Sequence, residues 1–122
     1  MYVKILIVDD SPAIRRSLRS LIAEQTDWTI IGEAENGKVA IEKSRELEPD
    51  VIILDLSMPV MNGLDAAREI RESSPNVHIL LFTMHAYPHL VEDARNFGVN
   101  KVVSKSEDPA RLLGAVRSLL TG

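Results

Sequence analysis

The feature that most constrains the fold is a run of four apolar residues, Val51 to Leu54, that leads directly into Asp55. Such a continuous run is typical of a strand that is buried on both faces, as in a parallel sheet. Pro59 and the pair Asn62-Gly63 follow and predict a turn. Asp55 is therefore expected where a buried strand leaves the sheet, the edge at which open α/β sheets bind ligands. Taken alone, Asp55 could equally well be the first residue of a polar loop.

Length and composition limit the class of protein. The chain has 122 residues, which suits one domain over residues 1–122 with its own core. Its net charge of −4 argues against direct nucleic-acid binding through a basic surface, and it has no cysteine for disulfides, thiolate metal sites or thiol catalysis. No apolar stretch approaches the length of a membrane span, and the N-terminal residues lack the features of a signal peptide. These observations predict a soluble, cytoplasmic protein without membrane contacts.

Strand-like apolar runs alternate with amphipathic helical patterns along the whole chain. The strands are predicted at Ile5–Val8, Trp28–Ala34, Val51–Leu54, Val77–Phe82 and Lys101–Val103. The second strand is more polar than the others and is expected to be shorter and to lie at an edge. An amphipathic helix is predicted after each strand.

Two helices carry signals for their ends. Ser11 or Asp10 is expected to cap the first helix, with Pro12 in its first turn. The fourth helix is expected to begin at Pro88 and to end at Gly98. Its inward-facing residues are predicted to be Leu90, Val91, Ala94 and Phe97.

The alternation predicts an α/β fold with right-handed βαβ crossovers and helices on both faces of a five-stranded parallel sheet. The pattern alone does not give the strand order, but the flavodoxin-like order 2-1-3-4-5 is common for a doubly wound (βα)5 sandwich of this size. In that order the first and third strands are neighbours. Their ends carry Asp9, Asp10 and Asp55.

Polar residues follow four of the five predicted strands: Asp9 and Asp10, Asp55, Thr83, and Lys105. Because parallel strands lie roughly 4.8 Å apart, these ends can converge on one pocket. Three carboxylates there would repel one another, and a like-charge pair at about 4 Å costs on the order of 4 kcal/mol at an effective dielectric near 20. Protons or a cation must relieve this repulsion, and oxygen ligands with positions left for water suit Mg²⁺ or Mn²⁺.

The same residue types suit phosphoryl transfer onto Asp55. A carboxylate can be the nucleophile, Lys105 can meet a phosphate oxygen, and the hydroxyl of Thr83 can donate a hydrogen bond. Each residue also has a simpler interpretation, because an acid after the first strand can cap a helix, Thr83 can be a strand residue and Lys105 can be solvated. Their shared position at the ends of strands favours a site. The three histidines, His78, His85 and His89, do not form a recognisable set of metal ligands.

Four stretches carry a resemblance to a known family. They are Ile7-Val8-Asp9-Asp10-Ser11, the segment LDLSMPVMNGL from Leu54 to Leu64, Thr83-Met84-His85, and Ser104-Lys105-Ser106. The second of these is highly specific. On these motifs the whole chain resembles a response-regulator receiver domain of two-component signalling.

The resemblance implies a phosphoacceptor and a metal site. Asp55 would accept the phosphoryl group in a reaction that depends on Mg²⁺ or Mn²⁺. The ion would be bound directly by Asp10 and Asp55 and through water by Asp9. The backbone carbonyl of Ser57 would complete the protein ligands.

The resemblance also implies how the phosphoryl group is held, sensed and lost. Thr83 would bond the group and transmit the change, and Lys105 would pair with it. Ser57 and His85 would flank the path of the water that hydrolyses the acyl phosphate.

Three residues depart from the commonest pattern of the family. Met84 stands where a small residue is usual, and Ser106 stands where proline usually follows the lysine. Both are similar to receivers of the subfamily that is fused to a C-terminal helix-turn-helix. Val102 replaces the usual switch aromatic. We therefore expect the signal to travel through the loop after Thr83 and the start of the fourth helix.

The expected partners are a sensor histidine kinase as phosphodonor and, as output, a C-terminal helix-turn-helix domain or a downstream protein. Phosphorylation-dependent homodimers are a further expectation. The domain would phosphorylate and dephosphorylate itself rather than act as a turnover enzyme on a metabolite. Three alternatives are an unphosphorylated docking module, a Mg²⁺-dependent phosphatase with an aspartyl nucleophile, and a flavin binder. The phosphatase pattern is Asp-x-Asp, whereas Asp9 and Asp10 are adjacent, and no phosphate loop rich in Ser, Thr and Gly follows Val8.

Overall fold

In a computed structural model that describes residues 2–84 and 86–121, strands and helices alternate from one end to the other. The described strands are β1 (Val3–Val8), β2 (Trp28–Ala34), β3 (Val51–Leu54), β4 (His78–Thr83) and β5 (Lys101–Ser104). The described helices are α1 (Pro12–Ala23), α2 (Gly37–Leu47), α3 (Gly63–Ser73), α4 (Leu90–Asn96) and α5 (Pro109–Thr121). No helix in the described part of the chain is long and apolar enough to cross a membrane.

The strands form one parallel sheet in the order β2-β1-β3-β4-β5, which confirms the predicted flavodoxin-like architecture. β3 is central, and every side chain in it is at most 1% exposed. Ile52 and Leu54 pack on the face covered by α2, α3 and α4. Val51 and Ile53 pack on the face covered by α1 and α5. Burial on both faces explains why the strand is a continuous apolar run rather than an alternating one.

The register of the sheet brings the strand ends together. Val8 of β1 pairs with Leu54 of β3, and Leu54 pairs with Leu81 of β4. The acids that follow β1 and β3 are therefore side by side at the carboxyl edge. β4 continues two residues beyond that level, and its last residue, Thr83, pairs with Ser104 of β5.

β2 corrects one prediction. It lies at an edge as expected, but its seven residues make it the longest strand in the described part of the chain rather than a short one. Its pairing with β1 shifts register between Ile5 and Leu6, which pair with Ile30 and Gly32, so Ile31 is an extra residue. The polar composition of this strand reflects its half-buried position at the edge of the sheet, not its length.

The pair Asn62-Gly63 also has a different role from the predicted turn. The side chain of Asn62 accepts a hydrogen bond from the backbone N–H of Asp65 and caps α3, so that Gly63 is the first residue of the helix. Asn36 caps α2 in the same way, through the N–H of Val39. Asparagine favours both turns and helix caps, and the sequence pattern does not separate the two.

α4 begins at Leu90 rather than at Pro88 and has seven residues. Leu90 and Ala94 are each 1% exposed, but Val91 is 56% exposed, so the prediction that Val91 faces inward is wrong. A helix this short buries one narrow stripe at positions i and i+4, and its neighbour points away. The predicted end at Gly98 is confirmed by its φ of 90°. The N–H of Val99 bonds to the carbonyl of Ala94, and the N–H of Gly98 to that of Arg95, as in a Schellman motif.

Candidate functional site

The acid that directly follows β1 is locked into the end of the sheet. Asp9 is 2% exposed, and its backbone N–H bonds to the carbonyl of Ala34 in β2 at 3.0 Å. Its carboxylate accepts the N–H of Ser11 at 2.9 Å. Ser11, not Asp10, caps α1 by accepting the N–H of Ile14, and Pro12 is the first helical residue. With the capping role filled by Ser11, Asp9 and the exposed Asp10 remain available to the pocket.

The end of β3 holds Asp55 in a similar way. Its N–H bonds to the carbonyl of Val8 at 2.9 Å, so the ladder between β1 and β3 continues up to the acid. α3 begins almost in contact with this residue, because the N–H of Gly63 bonds to the carbonyl of Leu56 at 2.8 Å. A Cβ at Gly63 would lie 2.1 Å from the backbone oxygen of Asp55. Glycine is required there for close approach of the two backbones, a role that the sequence pattern did not reveal.

The described residues contain an acidic cluster at this edge. One carboxylate oxygen from each of Asp9, Asp10 and Asp55 lies within 4.8 Å of the other two. Two of these acids are buried and one, Asp10, is exposed. Three hard oxygen donors with one side open to water fit a cation such as Mg²⁺, which keeps several water ligands. Ser57, the fourth predicted ligand, is on the exposed loop two residues after Asp55.

Lys105 bridges two of these carboxylates. Its Nζ is 2.7 Å from Oδ2 of Asp9 and 3.2 Å from Oδ1 of Asp55, and its side chain is 8% exposed. The backbone N–H of Lys105 also bonds to the carbonyl of Thr83 at 2.8 Å. The lysine is thus fixed in the pocket, and the alternative of a solvated surface residue does not hold.

The charges in the pocket perturb one another. Burial raises the pKa of the Asp55 carboxyl, the charge of Asp9 raises it further, and the charge and hydrogen bond of Lys105 partly offset these effects. For Lys105, burial alone would lower the pKa of the ammonium, but the hydrogen bond to Asp9 and the charges of both acids outweigh burial and raise it. The pocket therefore keeps Lys105 charged and makes an additional cation near Asp55 favourable.

Thr83 and the residues after it form the other side of the edge. Thr83 ends β4 and is fully buried. Met84 is 60% exposed and Tyr87 is 42% exposed, and the Tyr87 hydroxyl donates to Oδ2 of Asp93 at 3.0 Å. His85 lies outside the described residues. Val102 pairs with Leu81 and packs, half-buried, against the core cluster that includes Leu90 and Ala94 of α4.

Backbone strain lies in the loop that follows Asp55. Val60 has a φ of 71°, and the N–H of Met61 bonds to the carbonyl of Pro59 at 2.7 Å. A bond that spans three residues around a positive φ is the mark of the less common γ-turn. A β-branched residue is disfavoured there, and Val60 is 76% exposed, so packing does not compensate it. Strain of this kind is concentrated at functional sites in proteins.

Sequence reasoning missed Arg15 of α1. Its Nη1 donates to the backbone carbonyl of Asp9, and its Nε is 3.0 Å from Oε1 of Glu33 in β2. One signal was available in the sequence. Arg15 is near the N-terminal end of a helix, where the helix dipole disfavours a cation, and the first turn of α1 contains no acid.

Comparisons with known proteins identify the family of the chain. The chain matches the family model described as the response regulator receiver domain over residues 5–117. It is 39% identical over 119 residues to the transcriptional regulatory protein YdfI of Bacillus subtilis. The alignment covers 98% of this chain and 55% of YdfI. It is 34% identical over 116 residues to the chemotaxis protein CheY of Thermotoga maritima, which covers 95% of this chain and 96% of that protein.

A solved structure of a response regulator has the same fold over the whole chain. A two-component response regulator of the LuxR family from Aurantimonas superposes with a TM-score of 0.95 at 34% identity, over 100% of this chain and 87% of that chain. The chain spans about half the length of YdfI, and its similarity to longer regulators supports the resemblance to receivers fused to a helix-turn-helix. By sequence, fold and acidic pocket, the chain belongs to the response regulator receiver domain family.

Proposed function

We propose that this chain accepts a phosphoryl group on Asp55 from the phosphohistidine of a sensor histidine kinase in a Mg²⁺-dependent reaction. The observation that carries the proposal is the buried carboxylate of Asp55 beside Asp9 and Asp10 and in contact with the ammonium of Lys105. Asp10 and Asp55 would bind the ion directly, Asp9 would act through water, and the backbone carbonyl of Ser57 would complete the set. When bound, the ion supplies positive charge that offsets repulsion between the carboxylates and the phosphoryl oxygens.

The chain's own residues account for the transfer. An oxygen of Asp55 attacks phosphorus, the new O–P bond forms, and the P–N bond to the kinase histidine breaks with its electron pair left on the imidazole nitrogen. Lys105 then donates to a phosphoryl oxygen instead of to Asp55, and the Thr83 hydroxyl donates to another. Burial of Asp55 excludes bulk water, which favours a long-lived acyl phosphate.

The acyl phosphate is lost when water attacks phosphorus, which releases inorganic phosphate and restores the Asp55 carboxylate. By the family resemblance, the side chains of Ser57, which is exposed, and His85 would flank the path of this water and set the lifetime of the acyl phosphate. The domain acts once per phosphorylation event and is not a turnover enzyme on a metabolite.

Phosphorylation is read out through the loop after Thr83. A dianion on Asp55 lies where Thr83 can reach it, so the loop from Thr83 to Pro88 would move inward and reposition Met84, His85, Tyr87 and the start of α4. Val102 is too small to act as the aromatic reporter of other receivers. The output is a C-terminal helix-turn-helix domain or a separate downstream protein in the cytoplasm, and phosphorylation favours homodimers.

Acetyl phosphate with Mg²⁺ tests the chemistry. We expect intact mass to show one added phosphoryl group on the wild-type chain, a tryptic map to place it on Asp55, and Asp55→Asn to abolish it. Asp27→Asn changes an exposed aspartate at the opposite end of the sheet and should label like wild type. Labelling of Asp55→Asn to the wild-type level would refute the assignment, and a wild-type chain that never labels would favour the docking-module alternative.

A further inference from the structure

We infer that Arg15 is a positioning residue that fixes the acidic cluster for its cation, an inference that rests on the proposed metal site. One planar guanidinium joins two separate segments, since Nη1 donates to the backbone oxygen of Asp9 and Nε contacts Oε1 of Glu33 at 3.0 Å. The Arg15 side chain is 17% exposed. The other oxygen of Glu33 meets Nη1 of Arg19 at 3.1 Å, but the Arg19 side chain is half exposed.

The contact with the Asp9 carbonyl matters because of where that carbonyl lies. It belongs to the peptide unit that joins Asp9 to Asp10, and a peptide unit is rigid and planar. Holding its oxygen therefore sets the direction in which the chain continues to Asp10, the exposed acid of the cluster. The remaining contacts of Asp9 act elsewhere, on its own N–H and its carboxylate, and they involve Ala34, Ser11 and Lys105.

Glu33 explains how the charged guanidinium of Arg15 can lie beside the proposed metal site. An unpaired arginine near the three acids would compete electrostatically with a metal ion. The carboxylate of Glu33 offsets the charge of Arg15, so that the guanidinium contributes geometry while the acids keep their attraction for the ion. The fork of arginine suits this double contact, whereas lysine offers one point charge.

A role of Arg15 through its charge and a role through positioning Asp10 predict opposite effects of Arg15→Met on the affinity for Mg²⁺, which makes the inference testable. If Arg15 acted only through its charge, its removal would strengthen Mg²⁺ binding. If it positions Asp10, its removal weakens binding, and loss of a partner that orients metal ligands costs about tenfold in affinity. Arg19→Met is the matched control, because it removes a contact of the same Glu33 without a contact to Asp9.

The first measurement is the dissociation constant for Mg²⁺ of the intact 122-residue chain, taken from melting temperature against MgCl₂ concentration. We expect about tenfold weaker binding for Arg15→Met and a change of less than about twofold for Arg19→Met. Arg15→Lys keeps the charge and loses the fork, and it should bind more weakly than wild type. Wild-type or tighter binding by Arg15→Met, or full affinity in Arg15→Lys, would overturn the inference.

The second measurement needs no metal and separates this inference from the proposed function. The Ser11 amide, which bonds to the Asp9 carboxylate, should exchange its hydrogen faster in metal-free Arg15→Met than in wild type, and Arg19→Met should leave it unchanged. If wild type shows no response to Mg²⁺, the proposed metal site fails, and the exchange rate alone then decides whether Arg15 positions this loop. Equal exchange in all three proteins would refute that role.

Discussion

The two sides of the carboxyl edge of the sheet are built differently. On the β1–β3 side, Asp9 and Asp55 are buried, their backbone N–H groups are part of the sheet ladder, and Lys105 contacts both carboxylates. On the β4–β5 side, α4 has seven residues, and its N-cap residue, His89, makes no side-chain capping bond. Met84, Tyr87 and Val91 are exposed large side chains around that helix start. The first region fixes reacting groups. In the described part of the second region, Leu90 is buried and the Tyr87 hydroxyl bonds to Asp93, but the large side chains around the helix start are exposed.

α4 repeats the same contrast along its own length. Its C-terminal end is closed by the Schellman motif at Gly98 and held by Arg71, whose Nε and Nη2 both donate to the Gly98 carbonyl, at 3.2 and 2.8 Å. Other acceptors of the same guanidinium are the carbonyls of Ser74, Pro75 and Val77 and the side chain of Asn100. Among the described residues, the side-chain contacts to backbone carbonyls are concentrated at the C-terminal end of α4, whereas its start is held by the buried side chain of Leu90 and by the bond between Tyr87 and Asp93. This asymmetry suits the proposed transmission through the start of the helix.

The largest effect should come from removing the ammonium of Lys105, which lies on the β1–β3 side of the edge. Lys105→Met leaves the buried carboxylates of Asp9 and Asp55 without their partner, and breaking a buried ion pair in this way costs about 3–5 kcal/mol. We expect a loss of that size in the free energy of unfolding, measured with urea at neutral pH without Mg²⁺. Lys38→Met removes an exposed lysine of α2 and should change stability little. A cost below about 1 kcal/mol would mean that this side is not held by charge pairing.

A smaller effect should follow from loosening the fixed end of α4. Arg71→Met removes charged donors from four backbone carbonyls in two segments, and we expect a cost of about 2–3 kcal/mol in urea unfolding. Arg45→Met, at an exposed position of α2, is the control. Hydrogen exchange should accelerate more at the amides of Gly98 and Val99 than at Asp93 near the start of the helix. Uniform acceleration along α4 would contradict the idea of one fixed end.

Some of these features could be predicted from the sequence, and others could not. The buried strand Val51–Leu54 and the acid that ends it were predictable, because burial on both faces requires an apolar run and the carboxyl edge follows from the alternation of strands and helices. The orientation of Val91 was not, because it depends on how short α4 is. The contacts of Arg15 and Arg71 were not either, since their acceptors are mainly backbone carbonyls, which every residue type offers. The roles of Thr83 and Ser57 in phosphoryl transfer stay predictions.

The smallest effect concerns the pH dependence of stability, which we expect from the buried Asp55 on the β1–β3 side. Burial and then the charge of Asp9 raise the pKa of Asp55, and Lys105 offsets only part of this. The folded chain therefore keeps a proton on Asp55 at pH values at which the unfolded chain has lost it. Stability falls as the pH rises from the ordinary aspartate pKa of 3.8 through the raised value in the folded state, and the loss persists above it.

Asp55→Asn removes this titration and its cost, so the variant should melt above wild type at neutral pH, while the two proteins should converge as the pH falls below the ordinary aspartate pKa. Because Lys105 contacts Asp55 in the wild type and offsets part of the burial cost, we expect a difference smaller than those for Lys105→Met and Arg71→Met. Millimolar Mg²⁺ should narrow it by stabilising only wild type, and Asp27→Asn should show no such pH-dependent difference. Melting curves between acidic and neutral pH measure all of these effects. Asp55→Asn melting below wild type at neutral pH would contradict this prediction. It would mean that the contact with Lys105 more than compensates the cost of burying the Asp55 charge, so that the charged carboxylate of Asp55 stabilises the folded chain.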